Sequence, residues 1–189
     1  MKQKQRLIYG ITAIGGAIGL VASFLETLEY QELLKNAHTV LTCDLNSVFS
    51  CSSVLNAWQS KVFGFPNSLL CIVFFTLMLG TALAGLTGSV LVKKLRLTMQ
   101  GFALFFLCFG LWFLWQSTYH IRALCILCLF CFGGLLLINW GWLAVNAADL
   151  PIGNRGRKLL VRVNARGFDA FAWILLAIIV AFAMIMRFG

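Results

Sequence analysis

Four of the seven cysteines form two pairs whose spacing suits disulfide chemistry: Cys43 with Cys51, and Cys125 with Cys128. Residues three apart share a face of a helix, so the sulfurs of Cys125 and Cys128 can come close enough to bond. Electrons pass between thiols and disulfides by exchange, which requires the sulfurs to touch. The two pairs predict a thiol relay if the fold brings them together.

The position of Cys125 and Cys128 favours the reactive form of a thiol. Both lie at the start of an apolar segment, where a helix N-terminus supplies partial positive charge. Arg122 adds a full positive charge three residues earlier. Both features favour the thiolate, which is the attacking species in disulfide exchange.

The cysteines are also compatible with three roles that involve no relay. The pairs could be structural disulfides. Four sulfurs could bind zinc, although zinc sites usually combine two C-x-x-C units and the Cys43/Cys51 pair is not one. The cysteines could also be ordinary apolar residues, which is how we interpret Cys71, Cys108 and Cys131.

Composition indicates the surroundings in which this chemistry would take place. The chain has 189 residues, of which 61% are hydrophobic and 11% charged, whereas a soluble domain is about half apolar and about a quarter charged. We therefore expect an all-α, multi-pass membrane protein in contact with the lipid bilayer. The net charge of +9 is explained by basic loops, and we expect no nucleic-acid partner.

Five segments are long and apolar enough to cross a bilayer, which needs about 20 such residues. They are predicted at 7–28, 66–92, 98–119, 122–145 and 168–186. We expect the first four to form one bundle within 1–147, interrupted by an external segment at 29–65. A basic loop at 148–167 would then lead to a fifth helix at 168–189.

The distribution of basic residues predicts the orientation in the membrane. Eleven of the fifteen lie before the first span, between the second and third, or between the fourth and fifth. They are Lys2, Lys4, Arg6, Lys93, Lys94, Arg96, Arg155, Arg157, Lys158, Arg162 and Arg166. The positive-inside rule then places the N-terminus in the cytoplasm, and both cysteine pairs and the C-terminus outside. Disulfides persist on that side.

The external segment contains a short amphipathic helix, predicted at 47–59 from the apolar pattern of Val48, Leu55 and Trp58. Such a helix could cap the bundle and hold Cys51 above it, with Cys43 on a more mobile stretch. An outside protein would then reduce the Cys43/Cys51 pair. Cys51 would pass the electrons to Cys125.

These residues, in this order, resemble the vitamin K epoxide reductase family. The resemblance covers roughly residues 7–147. The residues that carry it are Cys43-Asp44, Cys51-Ser52, Trp58, Pro66-Asn67-Ser68 and Cys125-Ile126-Leu127-Cys128.

The resemblance implies a four-helix bundle around a quinone, with the C-x-x-C pair as active site and the loop pair as shuttle. It also implies that Cys128 faces the quinone, that Cys125 exchanges with Cys51, and that Asn67 hydrogen-bonds a quinone carbonyl. By position, we expect the apolar wall of the quinone site to include Phe63, Phe65, Leu69, Leu124 and Phe132. Asp44, Ser52, Trp58 and Arg122 are expected to support the site.

Two departures from the family refine this interpretation. Vertebrate members have a tyrosine four residues after the second active-site cysteine, where this sequence has Phe132. Bacterial relatives carry a fifth helix leading to a thioredoxin-like domain, whereas this sequence ends at Gly189. We therefore expect the thioredoxin-fold partner to be a separate protein outside the membrane.

The sequence thus predicts an enzyme of a bacterial cytoplasmic (inner) membrane that oxidises a dithiol protein and reduces menaquinone or ubiquinone, without a metal. Three alternatives are weighed against it. One is the same fold reducing vitamin K epoxide with a partner's electrons. The second is the other bacterial type of four-helix disulfide-forming protein, which places its C-x-x-C near the first external loop. The third is a membrane scaffold with structural disulfides.

Overall fold

The computed structural model describes residues 3–36, 39–151 and 153–188, and only the backbone of Ala165 and Arg166. Lys2 therefore lies outside the described residues. The helices are α1 (Gln3–Lys35), α2 (Cys51–Asn56), α3 (Asn67–Leu86), α4 (Lys93–Trp115), α5 (Ile126–Asn146), α6 (Asn154–Arg166) and α7 (Phe168–Phe188). A 3₁₀ turn covers Trp58–Lys61, and a π-helical turn, Gln116–Ile121, extends α4.

Among the described residues, five helices are long and apolar enough to cross a membrane: α1, α3, α4 with its π-helical extension, α5 and α7. The expected all-α membrane architecture is confirmed. Helix α1 lies between α3 and α5, and α4 packs on α5. Helices α3 and α4 meet through the stacked rings of Phe74 and Phe106, whose centroids are 4.2 Å apart.

Close packing of α1 on α5 depends on small residues. A Cβ atom added to Gly15 would lie 2.8 Å from Cβ of Leu137 and 2.9 Å from the carbonyl oxygen of Gly134. Such distances are too short for any side chain, so glycine allows the two backbones to approach. This contact fixes α1 against the helix that begins at the C-x-x-C pair.

The fifth spanning helix lies outside the bundle. Helix α7 contacts α5 and α6, and most of its apolar side chains are exposed in the isolated chain. It follows Gly167, whose φ of 79° ends α6 in the left-handed conformation that glycine adopts without strain.

Two segments are more helical than the sequence predicted. Helix α1 continues to Lys35, so the external segment predicted at 29–65 begins with two helical turns. The basic segment at 148–167 was predicted as a loop, but most of it forms the amphipathic helix α6. Short amphipathic helices lack the long apolar run by which the spans were found.

The predicted helix at 47–59 is shorter in the structure. Helix α2 begins at Cys51. The hydroxyl oxygen of the N-cap residue, Ser50, accepts a hydrogen bond from the Ser53 N–H at 3.3 Å. The helix ends at Asn56, and the extended backbone of Ala57 separates it from the 3₁₀ turn. Cys51, Val54 and Leu55 are its buried residues, as an amphipathic cap of the bundle requires.

Candidate thiol–disulfide active site

The first cysteine pair forms a disulfide between the external loop and α2. Cys43 and Cys51 are bonded, with their Cα atoms 5.7 Å apart. Cys51 is fully buried and Cys43 is only 6% exposed. The expected mobile stretch around Cys43 therefore lies against the protein, in an apolar cluster with Leu33 and Leu41.

A short backbone pairing holds this loop on the start of α5. The Leu124 N–H donates to the Val48 carbonyl at 2.7 Å, and the Ser50 N–H donates to the Leu124 carbonyl at 3.0 Å. Phe49 and Leu124 consequently form an isolated parallel bridge. Since Leu124 precedes Cys125 and Ser50 precedes Cys51, the pairing sets the two cysteines side by side.

The second cysteine pair opens α5, as the sequence predicted. Cys125 is the N-cap in an extended conformation, and its sulfur accepts a hydrogen bond from the Cys128 N–H at 3.4 Å. Both cysteines are buried thiols. The Cys125 sulfur lies 3.4 Å from that of Cys51, so disulfide exchange between the two pairs needs only a small displacement.

Sequence reasoning missed a carboxylic acid that completes this site. The Cys128 thiol donates to Oε1 of Glu26 at 3.4 Å, and Glu26 is 6% exposed within α1. The available signal was an acidic residue near the end of a predicted apolar span. Ionisable residues in such positions are usually functional because burying them is costly.

Glu26, Cys125 and Cys128 place their reactive atoms within 4.8 Å of one another. A carboxylate and two thiols at this spacing suit either metal coordination or proton and electron transfer. The Cys125 sulfur of this group also contacts that of Cys51. We refer to the three residues as the thiol–carboxyl cluster.

A cavity adjoins the Cys128 side of this cluster. The part of it that a water molecule can enter has a volume of about 50 Å³, and the cavity opens to the surface. Its wall is mainly apolar and consists of Glu26, Asn67, Ser68, Cys71, Phe106, Phe109, Gly110, Phe113, Leu114, Cys128, Cys131, Phe132 and Leu135. Two residues expected at a quinone site, Asn67 and Phe132, are among them.

Asn67 supplies the cavity with polar atoms. It is the first residue of α3, and its Nδ2 donates to the Gln59 carbonyl at 2.7 Å. Its Oδ1 is buried and has no partner among the described residues. One amide N–H therefore remains to donate to a ligand carbonyl, and the free Oδ1 can accept a hydrogen bond from a ligand hydroxyl group.

The remaining residues expected in the wall do not line the cavity. Phe63 lies beside it, with its ring centroid 5.9 Å from that of the wall residue Phe109. Phe65 packs on Phe63 at 6.4 Å, and Leu69 is exposed on the outer face of α3. Leu124 is buried in the backbone pairing with the external loop, so its part in the site is to position Cys125.

Two of the expected supporting residues stabilise the loop. The carboxylate of Asp44 accepts hydrogen bonds from the backbone N–H groups of Leu41 and Ser52, each at 3.0 Å. Partial burial opposes ionisation, but these hydrogen bonds prevail and lower the pKa of Asp44. Asp44 thereby ties the residues after Cys43 to the first turn of α2.

Trp58 and Arg122 lie further from the thiols. Trp58 is exposed, and its ring centroid is 6.3 Å from that of Trp112 in α4. Arg122 is exposed with a left-handed backbone, and its guanidinium makes no hydrogen bond or ion pair within the described part of the chain. The charge expected beside Cys125 therefore has no direct bond to the thiols.

Comparison with known proteins identifies the family of the chain. No curated protein matches the chain. The family described as the vitamin K epoxide reductase family matches residues 11–140, which is more than half of the sequence and includes both cysteine pairs, Glu26 and Asn67. The chain therefore belongs to the vitamin K epoxide reductase family.

Proposed function

We propose that the protein re-oxidises a thioredoxin-fold dithiol protein and passes the electrons to a membrane quinone, menaquinone or ubiquinone, thereby supporting disulfide formation. Membership of the family makes it a membrane oxidoreductase of the thiol and quinone type in general. The observation that carries the finer proposal is the 3.4 Å contact between the sulfurs of Cys51 and Cys125.

The contact supports a relay of two exchanges. The partner dithiol reduces the Cys43–Cys51 disulfide and leaves oxidised, which makes Cys51 a free thiol. Cys51 then attacks Cys125 when Cys125 is bonded to Cys128, and Cys43 resolves the resulting link. The loop disulfide forms again, and Cys125 and Cys128 are left as thiols. Because Cys43 is buried, the first exchange requires the loop to open.

The cavity wall supports a quinone as the final acceptor. A bound quinone accepts two electrons and two protons. Asn67 would hold one of its carbonyl groups, and the aromatic residues Phe106, Phe109 and Phe132 would exclude water from the ring. Cys128 lies in this wall and would face the ring, whereas Cys125 faces the loop disulfide.

The charge distribution supports a bacterial cytoplasmic membrane as the location, with the N-terminus in the cytoplasm. The basic residues at the starts of α1 and α4 and along α6 lie on one side. At that end, Asp149 pairs with Arg96 and with Lys93 of α4. The thiols would then lie on the outer side, where a secreted dithiol protein could reach them.

Complementation in bacteria that lack their own disulfide-forming membrane enzyme tests the proposal. Expression of this chain should restore disulfide formation in a secreted reporter, and Cys128→Ala should abolish the rescue. Cys108→Ala is the matched control, because Cys108 is an exposed cysteine outside both pairs. Rescue that survives Cys128→Ala would refute the relay and favour a scaffold with structural disulfides.

A further inference from the structure

The proposed thiol relay gives no role to Glu26, although its carboxylate contacts the Cys128 thiol. We propose that Glu26 is the proton carrier of this site: its carboxylate takes the proton of the Cys128 thiol and delivers it to a quinone carbonyl oxygen. This inference rests on the function proposed above and adds a catalytic residue from α1. Three observations carry it: a hydrogen bond, a shared cavity and, among the described residues, the lack of a balancing charge.

The hydrogen bond and the cavity place Glu26 between the donor and the acceptor of the proton. The Cys128 thiol donates to Oε1 of Glu26 at 3.4 Å. The same side chain lines the cavity whose wall also contains Asn67. A carboxyl group that reaches both a thiol and a ligand cavity can carry a proton from the thiol to the ligand by rotating its side chain, without a bridging water molecule.

No basic side chain in the described part of the chain forms an ion pair with Glu26. The ion pairs of that part involve Lys35, Lys93 and Arg96. The titratable groups that face it are thiols: Cys125, Cys128 and Cys131 from the start of α5, and Cys71 from α3. An acid buried among thiols and aromatic rings is costly to retain, which is typical of a proton-relay group.

The chemistry balances with Glu26 as a carrier. The reaction is Cys125–SH plus Cys128–SH plus quinone, which gives the Cys125–Cys128 disulfide plus hydroquinone. Two electrons leave the sulfurs as the S–S bond forms, and two protons leave with them. Glu26 conveys the Cys128 proton to one quinone oxygen and ends in its starting ionisation state. The Cys125 thiol supplies the proton for the other oxygen.

A shared proton has a signature that a structural carboxyl group lacks. Once the Glu26–Cys128 pair has lost its first proton, the remaining one divides between carboxylate and thiolate, so the thiolate fraction no longer depends on pH. Without the carboxyl group, Cys128 must release its proton to solvent. Its thiolate fraction then rises about tenfold for each pH unit below its own ionisation.

The test measures alkylation of Cys128 by iodoacetamide in the full chain carrying Cys125→Ser, with peptide-resolved mass spectrometry. In the pH range between the first and the second loss of a proton from the pair, we expect a nearly flat rate with Glu26 present, and a slope of about one logarithmic unit per pH unit with Glu26→Gln. Glu26→Asp should restore the flat profile. Glu32→Gln, which makes the same change of charge at an exposed position on α1, should leave the profile unchanged.

A unit slope with Glu26 present would overturn the proposal, whether or not the glutamine variant folds. Turnover of a short-chain quinone gives a second readout. Glu26→Gln in the otherwise unchanged chain should lower kcat by about 100-fold with little change in KM. An unchanged kcat with a raised KM would show that Glu26 only helps to hold the quinone, and would refute proton transfer.

Failure of this inference can be told apart from failure of the proposed function. Alkylation of Cys128 requires neither quinone nor the partner protein. A unit slope together with rescue that depends on Cys128 would remove Glu26 from the mechanism and leave the thiol relay in place. Rescue that survives Cys128→Ala would refute the relay, and with it the role of Glu26 in quinone reduction.

Discussion

The contact between Cys51 and Cys125 predicts which disulfide forms when the normal partners of both residues are removed. Those two sulfurs are 3.4 Å apart in the native chain, and the double variant Cys43→Ser/Cys128→Ser removes the normal partner of each. They must approach by about 1.4 Å to reach the disulfide length of about 2.05 Å. Side-chain rotation can supply that movement while the pairing of Leu124 with Val48 and Ser50 stays intact.

The expected preference for this disulfide follows from the effective concentration of the two thiols. A thiol on a flexible tether meets its partner at an effective concentration of about 1 mM. Two thiols held in contact have an effective concentration of about 1 M or more. The Cys51–Cys125 disulfide should therefore be favoured over one formed through a flexible tether by at least about a thousandfold, or about 4 kcal/mol. The matched control is Cys43→Ser/Cys125→Ser, in which Cys51 remains with Cys128, whose thiol is directed to Glu26.

The assay equilibrates each reduced variant with glutathione redox buffers, quenches with acid and alkylates the free thiols. Peptide mapping then gives the equilibrium constant for each internal disulfide. We expect the Cys51–Cys125 link to persist at glutathione ratios that keep the control variant reduced. Equal constants for the two variants would refute the argument that the loop holds Cys51 on Cys125.

Two further predictions concern the loop and the bundle. Asp44→Asn should weaken docking of the loop by about 1–3 kcal/mol, because two backbone N–H groups lose a charged acceptor. The pKa of Asp44 is lowered in the folded protein, so its stabilisation of the loop is complete above the ordinary aspartate pKa and is lost as pH falls through the lowered value. Hydrogen exchange of the loop should therefore show this pH dependence only when Asp44 is present. Gly15→Ala should lower the melting temperature in detergent through a cost of about 1–3 kcal/mol, because its Cβ would overlap Leu137. Gly10→Ala, whose Cβ meets nothing within 4 Å, should not, and equal effects would contradict this packing.

The sequence predicted the spanning helices well because a bilayer imposes one simple pattern on them. Runs of about 20 apolar residues were recognisable without knowledge of their neighbours. The same criterion missed α6, whose apolar residues, such as Leu159 and Val163, recur at helical spacing among basic ones. It also missed the π-helical turn Gln116–Ile121, which no pattern of apolar residues indicates.

The chemistry of the site was predictable only where it followed from local spacing. Cys125 and Cys128 open α5 as their separation indicated. Phe65 and Leu69 were expected in the cavity wall from their position in the chain, but the cavity receives Asn67 and Ser68 instead. Leu69 lies on another face of α3, because a helix turns successive side chains to different faces. Glu26 is 102 residues from Cys128, and only the packing of α1 against α5 brings them together.

The placement of Cys128 explains why electrons and protons can take different routes through the site. Its backbone N–H binds the Cys125 sulfur, which faces the loop disulfide, while its own thiol is directed to Glu26 and the cavity. In the proposed relay, electrons would arrive from the side of the loop through Cys125, and a proton would leave through Glu26 of α1. A residue that only completed a structural disulfide would need neither a carboxyl partner nor a cavity. The close α1–α5 packing at Gly15 is thus part of the chemistry, because it fixes the helix that carries Glu26 beside the helix that carries both thiols.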